Sequence, residues 1–472
     1  MFKVKKTFLG LVLGPTLFLL VILSPIEGLS DEPKFVLGIA LWMASWWILG
    51  TIPLYATSLI PLVLFPALGI IDIAKIPLYY VDKIVLLFLG GFLLAKAIET
   101  SALHKRFALN MLKTFGTKPR YIIGAFIIIT ASLSAWMTNT ASTLLILPIA
   151  IAVISQIKNS QERSRFGTCL MLCVAYSASI GGVATLIGTP PNALFASLSQ
   201  PLAGIDINFG QWMMIGVPVS AISLVILWLY MVNMSKLGNT PIAGTRQMVQ
   251  LELEKIGKMI KDEKIVMIVF AGTAIGWISR GLIWKDYFPF IEDYTIVLVA
   301  VIILLAIPSA KTNKRLLDLN SARKIPWGVL VLIGGGLALA GGFTVTGLDS
   351  WIADQLIFVS GMELFVVLLV IVTITIFSGE LMSNTAGAAL LLPVMASLAT
   401  ILDMNPIWLM APVAIATSYG FIMPIATPPN AIVFGSGYVT ASKMARFGLP
   451  LNIISILVVT IMMTILIPLI WG

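Results

Sequence analysis

The sequence predicts an all-α polytopic membrane protein, with eleven transmembrane helices plus two re-entrant hairpins arranged as inverted repeats. Three observations carry this fold class. Of 472 residues, 59% are hydrophobic and only 11% charged, whereas a soluble domain carries roughly a quarter charged residues. The apolar residues gather in runs of about 17–25, the length that spans a bilayer as helix. Two short motifs also occur twice in the same order. Thr138-Asn139-Thr140 precedes Thr189-Pro190-Pro191-Asn192-Ala193, and Ser383-Asn384-Thr385 precedes Thr427-Pro428-Pro429-Asn430-Ala431. Polar and helix-breaking residues inside apolar sequence are costly unless they line a cavity.

Taken in order, the first run, near 7–24, follows Lys3, Lys5 and Lys6. With no small-x-small cleavage site behind it, it reads as a retained first helix, not a removed signal peptide. Spans two to four fall near 36–52, 54–72 and 84–102, so 1–120 forms a first block. The long segment 121–157 holds the first Asn motif and reads as a hairpin. Spans five (168–198, with the first Pro-Pro) and six (211–233) complete a block over 121–234. A Lys- and Glu-rich cytoplasmic linker follows at 235–264. Spans seven to nine, near 265–284, 294–310 and 327–346, make a block over 265–361. The last block, 362–472, holds a second hairpin at 362–400, span ten at 407–437 with the second Pro-Pro, and span eleven at 448–471.

Charge tests this topology, because basic residues concentrate in cytoplasmic loops. With a cytoplasmic N-terminus and both hairpins returning to the side they enter from, the inner stretches collect Lys105, Arg106, Lys113, Lys118, Arg120, Lys158, Arg163, Arg165, the linker, Lys311, Lys314, Arg315, Arg323, Lys324, Lys443 and Arg446. The outer loops keep mainly Lys34, Lys75, Lys83, Arg280 and Lys285, and the C-terminus is extracytoplasmic. Reading either hairpin as a single crossing would invert everything after it and spoil the asymmetry. The same distribution accounts for the net charge of +9 without a nucleic-acid partner.

The halves align at a shift of 245 residues, Asn139 to Asn384, with Gly90-Gly91 on Gly335-Gly336 and Leu147-Pro148 on Leu392-Pro393. Five crossings separate the hairpins, so they enter from opposite faces, the inverted arrangement of secondary transporters with a midplane site. Pro-Pro removes two donors and breaks a helix. The break frees carbonyls that can hold a cation and starts a helix whose N–H groups can hold an anion. Asn amides and Thr hydroxyls at the tips donate to carboxylate oxygens, and the same residues favour caps and turns.

Other polar residues have plainer readings. Cys169 and Cys173, one helical turn apart with no nearby His, suit core packing better than a metal. His104, among basic residues, reads as solvated. Lys96 and Glu99, three apart, pair with each other. Glu380, one turn before Asn384, could tune cation coupling or could face packed protein. No His cluster, inward carboxylate pair or Ser–His arrangement marks an enzyme, and no cofactor is implied. No Arg lies near either motif pair, and each helix N-terminus supplies only about half a charge. Bound cations are then the natural counterweight to a dianion.

At these residues the chain resembles the divalent anion–sodium symporter family, whose members carry dicarboxylates, citrate or sulfate. The twin Asn-Thr tips and twin Thr-Pro-Pro-Asn breaks carry the resemblance, which covers nearly the whole chain. It implies a homodimer in the cytoplasmic membrane with an elevator mechanism. The scaffold would be spans one to four and seven to nine, and the hairpins with spans five, six, ten and eleven would form the moving transport domain. It implies that Asn139, Thr140, Thr189, Asn384, Thr385, Thr427 and Pro428 touch a di- or tricarboxylate such as succinate, malate, fumarate, 2-oxoglutarate or citrate. It implies a first Na⁺ site at Ser134, Thr138, Asn139 and Gly188, and a second at Ser383, Asn384 and Ala426. Two departures stand out. Thr138 replaces a Ser, and Gly379, the repeat partner of Ser134, lacks the hydroxyl expected at the second site. Na⁺-coupled symport and cation-independent dicarboxylate exchange therefore both remain open.

Overall fold

The computed structural model describes residues 2–284, 287–311, 314–355 and 361–471. Lys285 lies outside the described residues. Among the described residues every regular element is helical, apart from one antiparallel bridge between Pro308 and Arg315. Four helices are long and apolar enough to cross a membrane by length and composition: Phe209–Met234, Trp327–Thr346, Asn384–Ile401 and Ala441–Trp471. Shorter apolar helices fall in other expected spans, such as Phe8–Leu23 and Asp293–Ala306, and in the two expected hairpins, as Pro119–Ser134 and Leu364–Gly379. Helices satisfy their backbone groups internally, which apolar surroundings demand.

The third expected span is not one helix. It divides into Leu54–Thr57 and Ile60–Ala67, turns at Gly69 with φ 72°, and continues as a 3₁₀ turn, Ile76–Val81. Pro61 sits in the first turn of the second piece, where a missing N–H costs little. The linker carries a helix of its own, Thr245–Ile256. It is moored through Arg106, whose Nη1 donates to Gly257 O at 2.9 Å and whose Nε donates to Glu263 at 2.9 Å. His104 is not solvated. It is 3% exposed, with Nδ1 3.2 Å from Ile98 O, because the helix Leu103–Thr114 turns that face into the protein. Cys169 and Cys173 are free and buried, as packing residues should be.

The repeat is visible as paired units. Pro119–Ser134 and Asn139–Ser155 form a helix–turn–helix, matched by Leu364–Gly379 and Asn384–Ile401. Ser160–Gly182 breaks and resumes as Pro190–Ala203, matched by Ile407–Ala416 and Pro428–Gly435. Gly181 lets the first broken helix lie on the neighbouring unit: a Cβ there would stand 2.4 Å from Ala131 Cα. The halves are stitched by tyrosine hydroxyls. Tyr176 donates to Phe421 O at 2.8 Å, Tyr230 donates to Phe447 O at 2.9 Å, and Tyr419 donates to Ser223 Oγ at 3.2 Å.

The basic residues expected in outer loops are largely neutralised. Lys83 Nζ lies 2.6 Å from Asp206, and Lys34 is 3.9 Å from Asp31. Arg280, 1% exposed, reaches Glu292 at 2.7 Å and Asp293 at 3.3 Å. Asp293 Oδ2 also accepts from Phe209 N at 2.7 Å.

Candidate functional site

The tips are helix starts. Thr138 is the N-cap of Asn139–Ser155, its Oγ1 accepting from Ala141 N at 3.3 Å, and Ser383 is the N-cap of Asn384–Ile401. The broken helices resume at Thr189 and Thr427. Pro190-Pro191 and Pro428-Pro429 then occupy the first turn, where their fixed φ suits a helix and no partner N–H is needed. Thr427 Oγ1 accepts from Asn430 N at 3.3 Å.

These four starts converge. One cavity of about 760 Å³ is lined by Thr138, Asn139, Thr140, Gly188, Thr189 and Pro190 from the first half. From the second half come Ser383, Asn384, Thr385, Ala426, Thr427 and Pro428. All seven residues expected to touch carboxylates therefore face the same space. Each helix start directs roughly half a positive charge towards this space.

Ser134 stands behind Asn139, fully buried. Its Oγ donates at 2.7 Å to Asn139 Oδ1 or, at the same distance, to Ala178 O. The same end of the Asn139 amide lies 3.1 Å from Ala178 O and 3.3 Å from Gly188 O. With the amide oxygen there, four oxygens gather, the hard-donor environment that suits a small cation. With the nitrogen turned there, the amide's two N–H groups point at three acceptors, Ser134 Oγ, Ala178 O and Gly188 O, while Ser134 Oγ donates to Ala178 O, and the cluster satisfies itself. Ser134, Asn139 and Gly188 thus meet as expected, joined by the Ala178 carbonyl. The Thr138 hydroxyl is occupied as a cap.

The second half differs. Gly379 offers no hydroxyl, and Asn384 Oδ1 is buried with no hydrogen-bond partner among the described residues. Glu380 does not line the cavity. It is 3% exposed, and its carboxylate accepts from Phe421 N, Ile422 N and Met423 N at 2.8, 3.0 and 2.9 Å. Any influence of Glu380 on a cation must run through the segment it holds.

Three features escape motif reading. Asn192 Nδ2 donates to Gly182 O, Val183 O and Thr185 O at 3.1, 3.3 and 2.7 Å, and Asn430 Nδ2 donates to Gly420 O and Met423 O, both at 3.0 Å. These amides satisfy the carbonyls freed by each break. Their place as the fourth residue of both Thr-Pro-Pro-Asn copies was the available signal. Lys96 and Glu99 do pair, at 2.5 Å, yet both line the cavity, with Lys324 at its edge. Among the described residues no group of three or more His, Cys, Asp or Glu could hold a metal ion.

The family model described as "Sodium:sulfate symporter transmembrane region" matches residues 5–471. The chain belongs to this family. It is a multi-pass membrane protein of a transport family, not an enzyme. It is 39% identical to the sodium-dependent dicarboxylate transporter SdcS of Staphylococcus saprophyticus, over 98% of this chain and 92% of that protein. Identity to SdcS of Staphylococcus aureus strain bovine RF122 is 37%, over 100% of this chain and 94% of the relative. Among solved structures, Neisseria gonorrhoeae MtrF, from a class of antimetabolite efflux pumps, superposes with a TM-score of 0.59 at 14% identity, covering 93% of this chain and 95% of its own. The Alcanivorax borkumensis YdaH transporter superposes with a TM-score of 0.55 at 14% identity, covering 100% and 98%. These two share the fold alone.

Proposed function

We propose that this protein is a secondary carrier of C4–C6 di- or tricarboxylates, coupled to Na⁺ as symport. The observation that carries the reading is the convergence of Asn139, Thr140, Asn384 and Thr385, from two halves of one repeat, on a single cavity where four helices begin. Their neutral donors suit one carboxylate at each tip. The oxygen cluster of Ser134, Asn139, Ala178 and Gly188 supplies the first Na⁺ site, and Ser383, Asn384 and Ala426 the second. The names of the SdcS relatives agree with this cargo and this ion.

The tips act as re-entrant hairpins entering from opposite faces. In this reading 121–234 and 362–472 move together as a transport domain against a scaffold of 1–120 and 265–361, with 235–264 as cytoplasmic linker. The N-terminus is cytoplasmic, the C-terminus extracytoplasmic, and the carrier is a homodimer whose scaffolds stay fixed while each site travels, as in an elevator.

A second reading, cation-independent exchange, is favoured by one observation: the second site lacks the Ser134 counterpart and leaves Asn384 Oδ1 without a partner. Uptake of labelled succinate into proteoliposomes separates the two. Symport predicts uptake driven by a Na⁺ gradient and lost in choline. Uptake that ignores Na⁺ but needs internal dicarboxylate would replace symport with exchange, and no uptake under either condition would refute both.

A further inference from the structure

We infer that Lys96, anchored by Glu99, is a carboxylate receptor on the wall of the cavity facing the two tips. The inference rests on the carboxylate-carrier reading above and adds a charged contact to it. Lys96 lies on the helix Lys83–Thr100, outside both repeat motifs. Its side chain is 14% exposed, and Nζ lies 2.5 Å from Glu99 Oε1. Among the described residues the charged side chains lining the cavity are Lys96, Glu99 and Lys324, so its described walls carry a net charge of +1 (two Lys less one Glu). The other lining residues of this helix, Phe92 and Ala95, are apolar.

An ammonium half-buried in an apolar wall needs an anionic partner. Glu99, one helical turn on, supplies it, and an ammonium has three N–H groups. Among the described residues the Nζ hydrogen bond goes to Glu99 alone. Donors therefore remain for an incoming carboxylate, which can bridge to Lys96 or take the place of Glu99. The exchange swaps one carboxylate for another, so the ammonium never loses an anionic partner. The tips recognise carboxylates with neutral groups, whereas Lys96 adds a charge-assisted bond. In the elevator reading Lys96 belongs to the fixed scaffold, next to Lys324 and the basic segment before it. It therefore meets substrate on one side of the transport cycle only.

The test is succinate transport in proteoliposomes by wild type, Lys96→Gln, Lys96→Arg and Glu99→Gln, at low and high choline chloride with Na⁺ held constant. Lys96→Gln should raise KM about tenfold, the size of one charge-assisted hydrogen bond, with Vmax within about twofold. It should also flatten the salt dependence of KM. Lys96→Arg should keep KM within about threefold, and Glu99→Gln, which frees the ammonium, should lower it. The KM shift of Lys96→Gln should appear for substrate presented to the Lys324 side and not the opposite side. Unchanged KM in Lys96→Gln, an equal shift on both sides, or a loss of Vmax alone in both Lys96 variants would overturn the assignment. Wild-type protein that moves no dicarboxylate would instead overturn the function on which it rests.

Discussion

The Asn452 amide donates to Glu380 Oε1 at 2.7 Å, joining the last long helix to the second helix–turn–helix. The same carboxylate accepts from three consecutive N–H groups, those of Phe421, Ile422 and Met423, so one side chain fastens the segment ahead of the second break. The repeat partner of Glu380 is Ala135, 245 residues earlier (380 − 135), so the first half has no such clamp. There, Thr185 Oγ1 donates to Ala135 O instead.

Replacing Glu380 with Gln puts an NH₂ group against backbone donors. The expected cost is about 1–3 kcal/mol, that of a buried unsatisfied donor. It should appear as a lower unfolding temperature in detergent and a reduced transport rate. A variant as stable as wild type but with altered Na⁺ dependence would assign Glu380 to the ion itself.

Asn139→Ala and Asn384→Ala should each abolish succinate uptake while leaving the elution profile and helicity of the wild type. Asn139→Ala should also weaken Na⁺ binding, because its amide sits against Ser134 Oγ, Ala178 O and Gly188 O. Near-normal uptake in both variants would refute the site.

Gly379→Ser should strengthen Na⁺ dependence. A Cβ at this position meets only Thr417 O, at 3.7 Å, an ordinary contact, so the backbone position accepts a side chain. A hydroxyl there would supply what Ser134 gives the first half. Half-saturating Na⁺ should fall several-fold, the value of one added oxygen ligand or hydrogen bond. An unaltered Na⁺ titration would show that the second cluster binds no ion.

Lys83 and Asp206, 2.6 Å apart, bridge segments that the elevator reading places in different bodies. A single part-exposed pair contributes only about 0–1 kcal/mol, so Asp206→Asn should leave stability nearly unchanged. Joining Lys83→Cys to Asp206→Cys with a short bifunctional thiol reagent should stop transport, with recovery on reduction. The native thiols at Cys169 and Cys173 are buried. Full activity of the cross-linked protein would show that the two segments do not part.

The repeated motifs made most of the site readable. Asn and Thr at helix starts, and Pro-Pro inside apolar runs, each have one economical use, and all seven expected carboxylate contacts line the cavity. The Lys96–Glu99 pair was readable from its spacing, but not the direction it faces, because helix phase relative to a cavity depends on packing from far along the chain. The divided third span was hidden for a similar reason: its apolar run is continuous, and only the Pro and Gly positions mark the turns. His104 misled because its sequence neighbours are charged while its helix face is buried. Glu380 lies close to Asn384 in sequence, yet its partners stand far along the chain, from Phe421 and Met423 to Asn452.

Among the described residues the cavity wall contains no His and no Asp, and its only carboxylate is Glu99. Imidazole, the side chain that ordinarily changes charge near neutral pH, is thus absent from the described lining. Any acid–base response of transport in that range should be inherited from the cargo, each substrate following its own ionisation curve. A carrier built this way would favour whichever protonation state of a polyacid carries two charges, and profiles for different substrates should collapse onto one line when plotted against the concentration of dianion.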